Sequence, residues 1–304
     1  MHRTTTALIA ALALAGLSGC GDSGGGSGGG LSDALNAVDA GPASERSFAY
    51  TDLAALREVT DLPAPGQRID RDFMRWNVPA TLGAPMLTQR AFGRAGDEGV
   101  DLFAADRFVT IGLGGKEGAT RIDGFEGDAA PLTGLLDAST AEGDTVVVAG
   151  EPALRDAALG KGAERLGDRD DYAAAADCLG DVLAAQISPA RLAGFPPDSG
   201  DLVAIGVGGG DDPSETLCVV GDAGQVQRSD PALRRALDPD AVSVATNRHI
   251  SDEVKDVAFA TGGEGDHRWA RVEVTPDADA QLGYLYRSVY VMLLPRTWFG
   301  GSAG

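Results

Sequence analysis

Phe108-Val109-Thr110-Ile111-Gly112-Leu113-Gly114-Gly115 returns later in the chain as Leu202-Val203-Ala204-Ile205-Gly206-Val207-Gly208-Gly209. Five of the eight positions are identical, all at an offset of 94 residues. A β-rich run closed by glycines reads as a strand entering a turn. The downstream segments of the two copies also correspond in kind. A short polar turn (Lys116-Glu117-Gly118; Asp211-Asp212-Pro213) leads to a second apolar strand, Ala119–Phe125 in one copy and Glu215–Gly221 in the other. Helical stretches come next, at Ala129–Ala138 and Asp230–Leu237, and a third strand closes each unit at Thr145–Ala149 and Ala241–Thr246. A period of this size is that of a domain and argues against a solenoid. The expected fold is α+β: two similar β-β-α-β halves, residues 48–165 and 166–304, with hairpin-rich mixed sheets and helices packed on them.

The glycines invite a phosphate-binding reading, which the context opposes. A dinucleotide or P-loop site needs the turn to open a helix, whose first N–H groups meet the anion. Both turns here run into a second strand. Glu117 and Asp211 stand where a closing glycine would fall, and neither copy carries Gly-Lys-Ser/Thr. Hairpin glycines are the expectation.

Helices are predicted elsewhere from apolar stripes. Asp170–Ile187 places Tyr172, Ala175, Leu179, Val182 and Ile187 on one face, with Asp170 as N-cap and Cys178 beside the stripe. Asp277–Leu294 opens with Thr275-Pro276-Asp277, a capped start, and carries Leu282, Leu285, Tyr286, Val289 and Leu293. Thr51–Thr60 reads as a short capped helix and Asp70–Trp76 as another, ahead of a Pro-rich stretch near Val78–Pro85. Val254–Thr261 and Arg268–Thr275 read as a hairpin around Gly262-Gly263-Glu264-Gly265. Trp76, Trp269 and Trp298 are expected to serve the core before any ligand.

The first twenty residues carry a different signal. Met1-His2-Arg3 is a basic start, Ala7 to Gly16 is an apolar or small run, and Leu17-Ser18-Gly19-Cys20 comes directly after it. That tetrapeptide resembles the lipobox of bacterial membrane lipoproteins. The resemblance implies a signal peptide over 1–19, diacylglycerol on the Cys20 thiol, and Cys20 as the mature N-terminus. The apolar run is too short to span a bilayer, which takes about 20 apolar residues. Attachment would come from lipid, and two acyl chains hold stably where one does not. Residues 20–47 are expected as the lipidated cysteine and a flexible tether, whose Gly/Ser-rich part, Gly21–Gly30, reaches about 15–20 Å. Within it, Gly21-Asp22-Ser23-Gly24-Gly25 matches the sequence around a protease nucleophile, but a low-complexity linker provides no fold to activate it.

Composition narrows the function classes. The chain has 304 residues and a net charge of −20, or −21 once Arg3 is removed. Such a surface is repelled by nucleic acid and by anionic lipid. Of 25 basic residues only Lys116, Lys161 and Lys255 are lysine; this bias, with the lipobox, resembles lipoproteins of actinobacteria. Cys20 is assigned to lipid, which leaves Cys178 and Cys218 as a candidate disulfide in an exported, oxidising setting.

Chemistry-bearing constellations are sparse. His249 and His267 are 18 apart, and the chain contains neither H-E-x-x-H nor paired C-x-x-C, so no metal site or cofactor is expected. Asp198-Ser199-Gly200 lacks the strand–turn–helix that exposes a nucleophile. Acidic clusters at Asp168/Asp170/Asp171, Asp211/Asp212/Glu215 and Asp277/Asp279 do not complete an EF-hand. No catalytic residue is assigned. The expectation is a non-catalytic binding or interaction module, lipid-anchored in the cell envelope, its partner an envelope protein or a small molecule. The alternative is a hydrolase acting on wall polymers through carboxylates; a transporter's solute-binding component is disfavoured by the hairpin-rich pattern. A cleft with two facing carboxylates would favour the hydrolase, an apolar cavity a ligand carrier, and a flat patch a protein partner.

Overall fold

The computed structural model describes residues 30–291, apart from 64–70, 86, 88, 114, 126–131, 134, 135, 137, 211, 244–246 and 279. It is an α+β fold built on one ten-stranded sheet in which every ladder is antiparallel, not on the mixed sheets expected. The strands are β1 (Phe48–Asp52), β2 (Arg107–Gly112), β3 (Gly118–Asp123), β4 (Ser139–Glu142), β5 (Thr145–Ala149), β6 (Ala184–Pro189), β7 (Leu202–Val207), β8 (Glu215–Gly221), β9 (Val254–Glu264) and β10 (His267–Pro276). The described helices are α1 (Leu31–Asn36), α2 (Leu53–Val59), α3 (Arg71–Leu82), α4 (Gln89–Asp97), α5 (Pro152–Ala158), α6 (Asp170–Leu179), α7 (Ala223–Ala236) and α8 (Tyr284–Tyr286), the last continued as a π-helix over Arg287–Val291.

Strand order carries an internal regularity. Outward from the central β1–β6 ladder, one side runs β1-β2-β3-β5-β4 and the other β6-β7-β8-β10-β9. Ranked along the chain, both sides read first, second, third, fifth, fourth. The repeated sequence falls on β2–β3 and β7–β8, each a hairpin. The aligned glycines do different work. Gly112 sits at φ +83, where a side chain is strained. Gly206 leaves room for Val182, whose Cγ1 would lie 2.7 Å from an added Cβ. The sides also diverge in two respects: α2–α4 are inserted between β1 and β2, and the helices after β5 and β10 pack against different cores.

Helices cover both faces of the sheet. One face, with Phe48, Tyr50, Ile111, Ile187 and Val220, is buried under α1, α5 and α6. On the other, Phe108, Ile122 and Val146 lie under α2–α4, while Ile205, Leu217 and Val272 lie under α7 and α8. Cys178 on α6 and Cys218 on β8 form a disulfide with Cα atoms 6.2 Å apart, clamping helix to sheet. Trp269 is half-buried on the same face, and its indole N–H donates to Asp177 on α6 (3.2 Å).

Several expectations are corrected. The helix predicted over Asp170–Ile187 stops at Leu179; Gly180, at φ 68, ends it, and residues 184–189 leave as β6. Asp170 is the first helical residue, and the N-cap position belongs to Arg169. Asp277–Leu294 is not helical from its start: β10 runs to Pro276, and the helix begins at Tyr284. Leu293 lies outside the described residues. Thr51–Thr60 divides into the end of β1 and α2, with Asp52 as N-cap accepting from Ala55 N–H (2.8 Å). The stretch around Val78–Pro85 belongs largely to α3, which tolerates Pro79 internally. Asp230–Leu237 is the end of the longer α7, which a capping box of Asp222 and Gln225 starts. Residues 241–243 make one bridge, Val242 to His249, and no strand. Of the helix predicted over 129–138, only Leu132 and Thr133 are described as helical. The fold also claims 31–47, expected within the tether: Leu31, Ala34, Leu35 and Val38 are core residues.

The disulfide closes a loop of 40 residues, worth about 4 kcal/mol of unfolding free energy on the chain-entropy estimate. Replacing both cysteines by alanine should lower the urea-derived unfolding free energy by about that amount. An unchanged midpoint would show that packing alone holds α6 on the sheet.

Candidate functional site

The residues singled out in the sequence do not converge. Cys20, the Gly21–Gly25 match and Trp298 lie outside the described residues. Trp76 is buried in the core. His249 sits by the backbone of Asp240, its Nδ1 3.0 Å from the carbonyl oxygen. His267 is at the β9–β10 turn, 3.9 Å from Asp170. Ser199 is buried, and its hydroxyl donates to the Pro196 carbonyl (2.8 Å), holding a turn. Of the acidic clusters, Asp211 and Asp279 lie outside the described residues. Asp168 accepts from the Arg165 N–H (3.0 Å), Asp171 lies 3.5 Å from Arg169, and Asp212 lies 3.6 Å from Lys255. Among the described residues no three His, Cys, Asp or Glu side chains are grouped to hold a metal ion. Among them, too, no helix is long and apolar enough to cross a membrane.

Glu215 has the most unusual environment of these acids. It begins β8, fully buried, and its carboxylate accepts from the N–H groups of Gly283 (2.7 Å), Tyr284 (2.9 Å) and Leu285 (2.8 Å). A sheet residue thus supplies the N-terminal acceptor of α8, where the helix leaves its first donors open. Burial pushes its carboxyl upward, against the three N–H donors and Arg287. Asp123 goes the other way: burial would raise it, but Arg121 and Arg107, with bonds of 2.6 and 2.7 Å, hold it below the usual carboxylate range. Both groups are locked into structural partners, and neither lines the two large clefts.

The first of those clefts is apolar, about 620 Å³, between α3, the segment around α4, and α8. Phe73, Phe92 and Phe103 form its aromatic wall: Phe92 stacks on Phe103 at 5.2 Å, and Phe73 meets Phe103 edge-on at 5.7 Å. Val78, Leu87 and Tyr286 line it too, Asn77 and Thr81 supply polar groups, and among the described residues no charged one does. Its size is typical of small-molecule sites, as is an apolar lining with a few polar groups. The second, about 790 Å³, lies where β6 ends and β7 begins, beside the start of α6. It is the more polar of the two, and its lining includes Arg46, Arg169 and Arg191 with Glu45, Asp171 and Asp201. Its carboxylates are engaged: Glu45 with Arg169 (2.8 Å), Asp171 with Arg169 (3.5 Å), and Asp201 with the Gln225 amide (3.0 Å). Sequence reasoning missed both clefts, because each is assembled from separated segments that share no spacing.

No protein-family model matches this chain, and no curated protein or solved structure matches it either.

The raised carboxyl of Glu215 has a signed consequence. The folded chain holds this proton more tightly than the unfolded chain does. The group therefore favours folding fully below its ordinary value of 4.5 and loses that contribution as pH rises through the folded value. In urea titrations at several pH values, wild type should lose stability relative to a Glu215→Gln chain as pH rises from 4.5 through the folded value. A difference independent of pH would contradict it.

Proposed function

We propose that this chain is a lipid-anchored cell-envelope protein whose body is a non-catalytic binding module for an apolar, acyl-chain-like molecule. Cys20 would carry the lipid after removal of residues 1–19, and Gly21–Gly30 would tether the body within about 15–20 Å of the bilayer. Two features support the anchor: the lipobox and the closeness of the tether to the fold. Leu31, directly after the glycine run, is already buried in the core. The net charge of −20 favours a body that stands off from an anionic membrane and away from nucleic acid.

The observation that carries the binding role is the apolar cleft. A site of that size with no charged residue in its described lining gains from burying hydrocarbon and would strip a charged ligand of water without compensation. Lipid attachment would place this cleft next to a source of such ligands. The wall-hydrolase reading has no comparable support. The carboxylates of the polar cleft are tied to Arg169 and Gln225, leaving no facing acid–base pair among its described residues.

The anchor is checked by intact-mass analysis of membrane-fraction protein. The expected species starts at Cys20 and carries diacylglycerol, and a Cys20→Ala chain should lose membrane attachment. An unlipidated chain cut elsewhere would rule it out. The cleft is checked with the neutral apolar fluorophore N-phenyl-1-naphthylamine. Saturable enhancement is expected, weakened about tenfold or more by Thr81→Lys, which brings a charge into the lining, and by Phe92→Asp. The melting temperature of each variant controls for folding. Absence of saturation, or saturation unaffected in a folded Thr81→Lys chain, would refute the apolar ligand.

A further inference from the structure

We infer that the polar cleft at the end of β6 is a second, separate binding site, for a small molecule bearing a phosphoryl group. It is independent of the apolar cleft. Its Tyr172 and Leu202 belong to the core under α1 and α6, whereas Phe73 and Leu87 of the apolar cleft belong to a core on the opposite face.

The chain carries −20 overall, a field that opposes an approaching anion. In this cleft three arginines meet three acids, so 3 − 3 leaves it neutral. Arg46 binds Glu117 (3.0 Å) and Arg169 binds Glu45 (2.8 Å), both substantially exposed pairs. The side chain of Arg191 is exposed in the turn after β6 and makes no hydrogen bond or ion pair with a described residue. A ligand therefore meets one guanidinium with all its donors open. It meets Arg46, whose exposed pair with Glu117 can be displaced at small cost, and Arg169, which Glu45 and Asp171 hold between them.

The count of forks selects the ligand class. A carboxylate presents two oxygens and is filled by one guanidinium fork. A phosphoryl group presents up to three oxygens and a larger charge, and so uses several arginines at once. The walls suit a preformed site. Pro42, Pro189 and Pro197 line the cleft, and their fixed φ lowers the ordering cost of binding.

The test uses the full chain in detergent micelles, titrated calorimetrically with inorganic phosphate and, separately, with short-chain dihexanoyl phosphatidylglycerol. Saturable binding of inorganic phosphate, weakened about ten- to a hundredfold by Arg191→Ala and partly kept by Arg191→Lys, supports a free phosphoryl ligand. Saturable binding of the lipid alone, with the same sensitivity to Arg191→Ala, supports a headgroup as its source. Binding of neither probe, or binding unchanged in Arg191→Ala, overturns the inference. Arg191 is a surface residue, so its variants should melt with wild type. Thr81→Lys, on the far face, should leave phosphate binding intact, which separates failure of this site from failure of the apolar one.

Discussion

The whole architecture rests on one ladder, the antiparallel pairing of β1 with β6. Phe48 faces Ile187, Ala49 faces Gln186, Tyr50 faces Ala185 and Thr51 faces Ala184. Without those bonds the chain is two five-stranded sheets, each with an open edge that would seek another strand. With them it is one continuous surface thick enough in apolar residues to hold helices on both faces. Every residue of β1 is buried, so the seam is also where solvent is most fully excluded. Its polar residues must then be satisfied locally. Thr51 donates to the Pro79 carbonyl and accepts from the Gly83 N–H, and Thr110 on β2 donates to the Gly83 carbonyl, all at 2.8 Å. The end of α3 is pinned to the seam by side-chain hydroxyls, and the helical insertion docks there.

The two central strands are also the elements that the sequence conceals. Strands buried on both faces do not alternate, and a short apolar run cannot be told from helix by periodicity. Ala184–Pro189 continues the apolar stripe of α6, so the stripe alone extends the helix across Gly180. Phe48–Asp52 ends in Thr-Asp, which resembles a helix cap, and Asp52 does cap α2. Here the local signal is correct and incomplete, because one residue closes a strand and opens a helix. The repeated hairpins were legible since they carry glycine-punctuated strand chemistry within a few residues. The start of α8 was not, because its capping group is Glu215, nearly seventy positions earlier in the chain. A cap supplied across the fold leaves no local trace.

The same distinction governs the clefts. Cys178 and Cys218 were legible as a pair by elimination, since the lipid expected on Cys20 would leave two thiols. The aromatic wall draws on residues 73, 92 and 103 and on Tyr286. The arginine cleft draws on four stretches between Pro42 and Leu202. Neither arrangement needs fixed spacing, because the sheet and not the local chain sets the distances. A motif arises when neighbouring backbone groups share the chemistry, as in a phosphate loop. Sites built from side chains on separate elements carry only the statistics of their composition. In an acidic chain with 25 basic residues, three arginines in one cleft become visible only after folding.

The disulfide connects the fold to the proposed location. Cys178 and Cys218 are both fully buried, so a reductant can reach them only when α6 lifts from the sheet. In a reducing compartment the pair would pack as thiols, and α6 would rest on burial of Tyr172, Ala175 and Leu179 alone. In an oxidising one the bond fixes α6 over β8, on the side of the seam that lacks the α2–α4 insertion. The first side carries α2–α4 on one face; the second carries α7 and α8 on that face, and α6 with its covalent clamp on the other. That clamp is of use only outside the cytoplasm, which is where a lipid on Cys20 would hold the chain. The amino-terminal signal and the buried bond are far apart in sequence and independent in chemistry, and both accord with the proposed export.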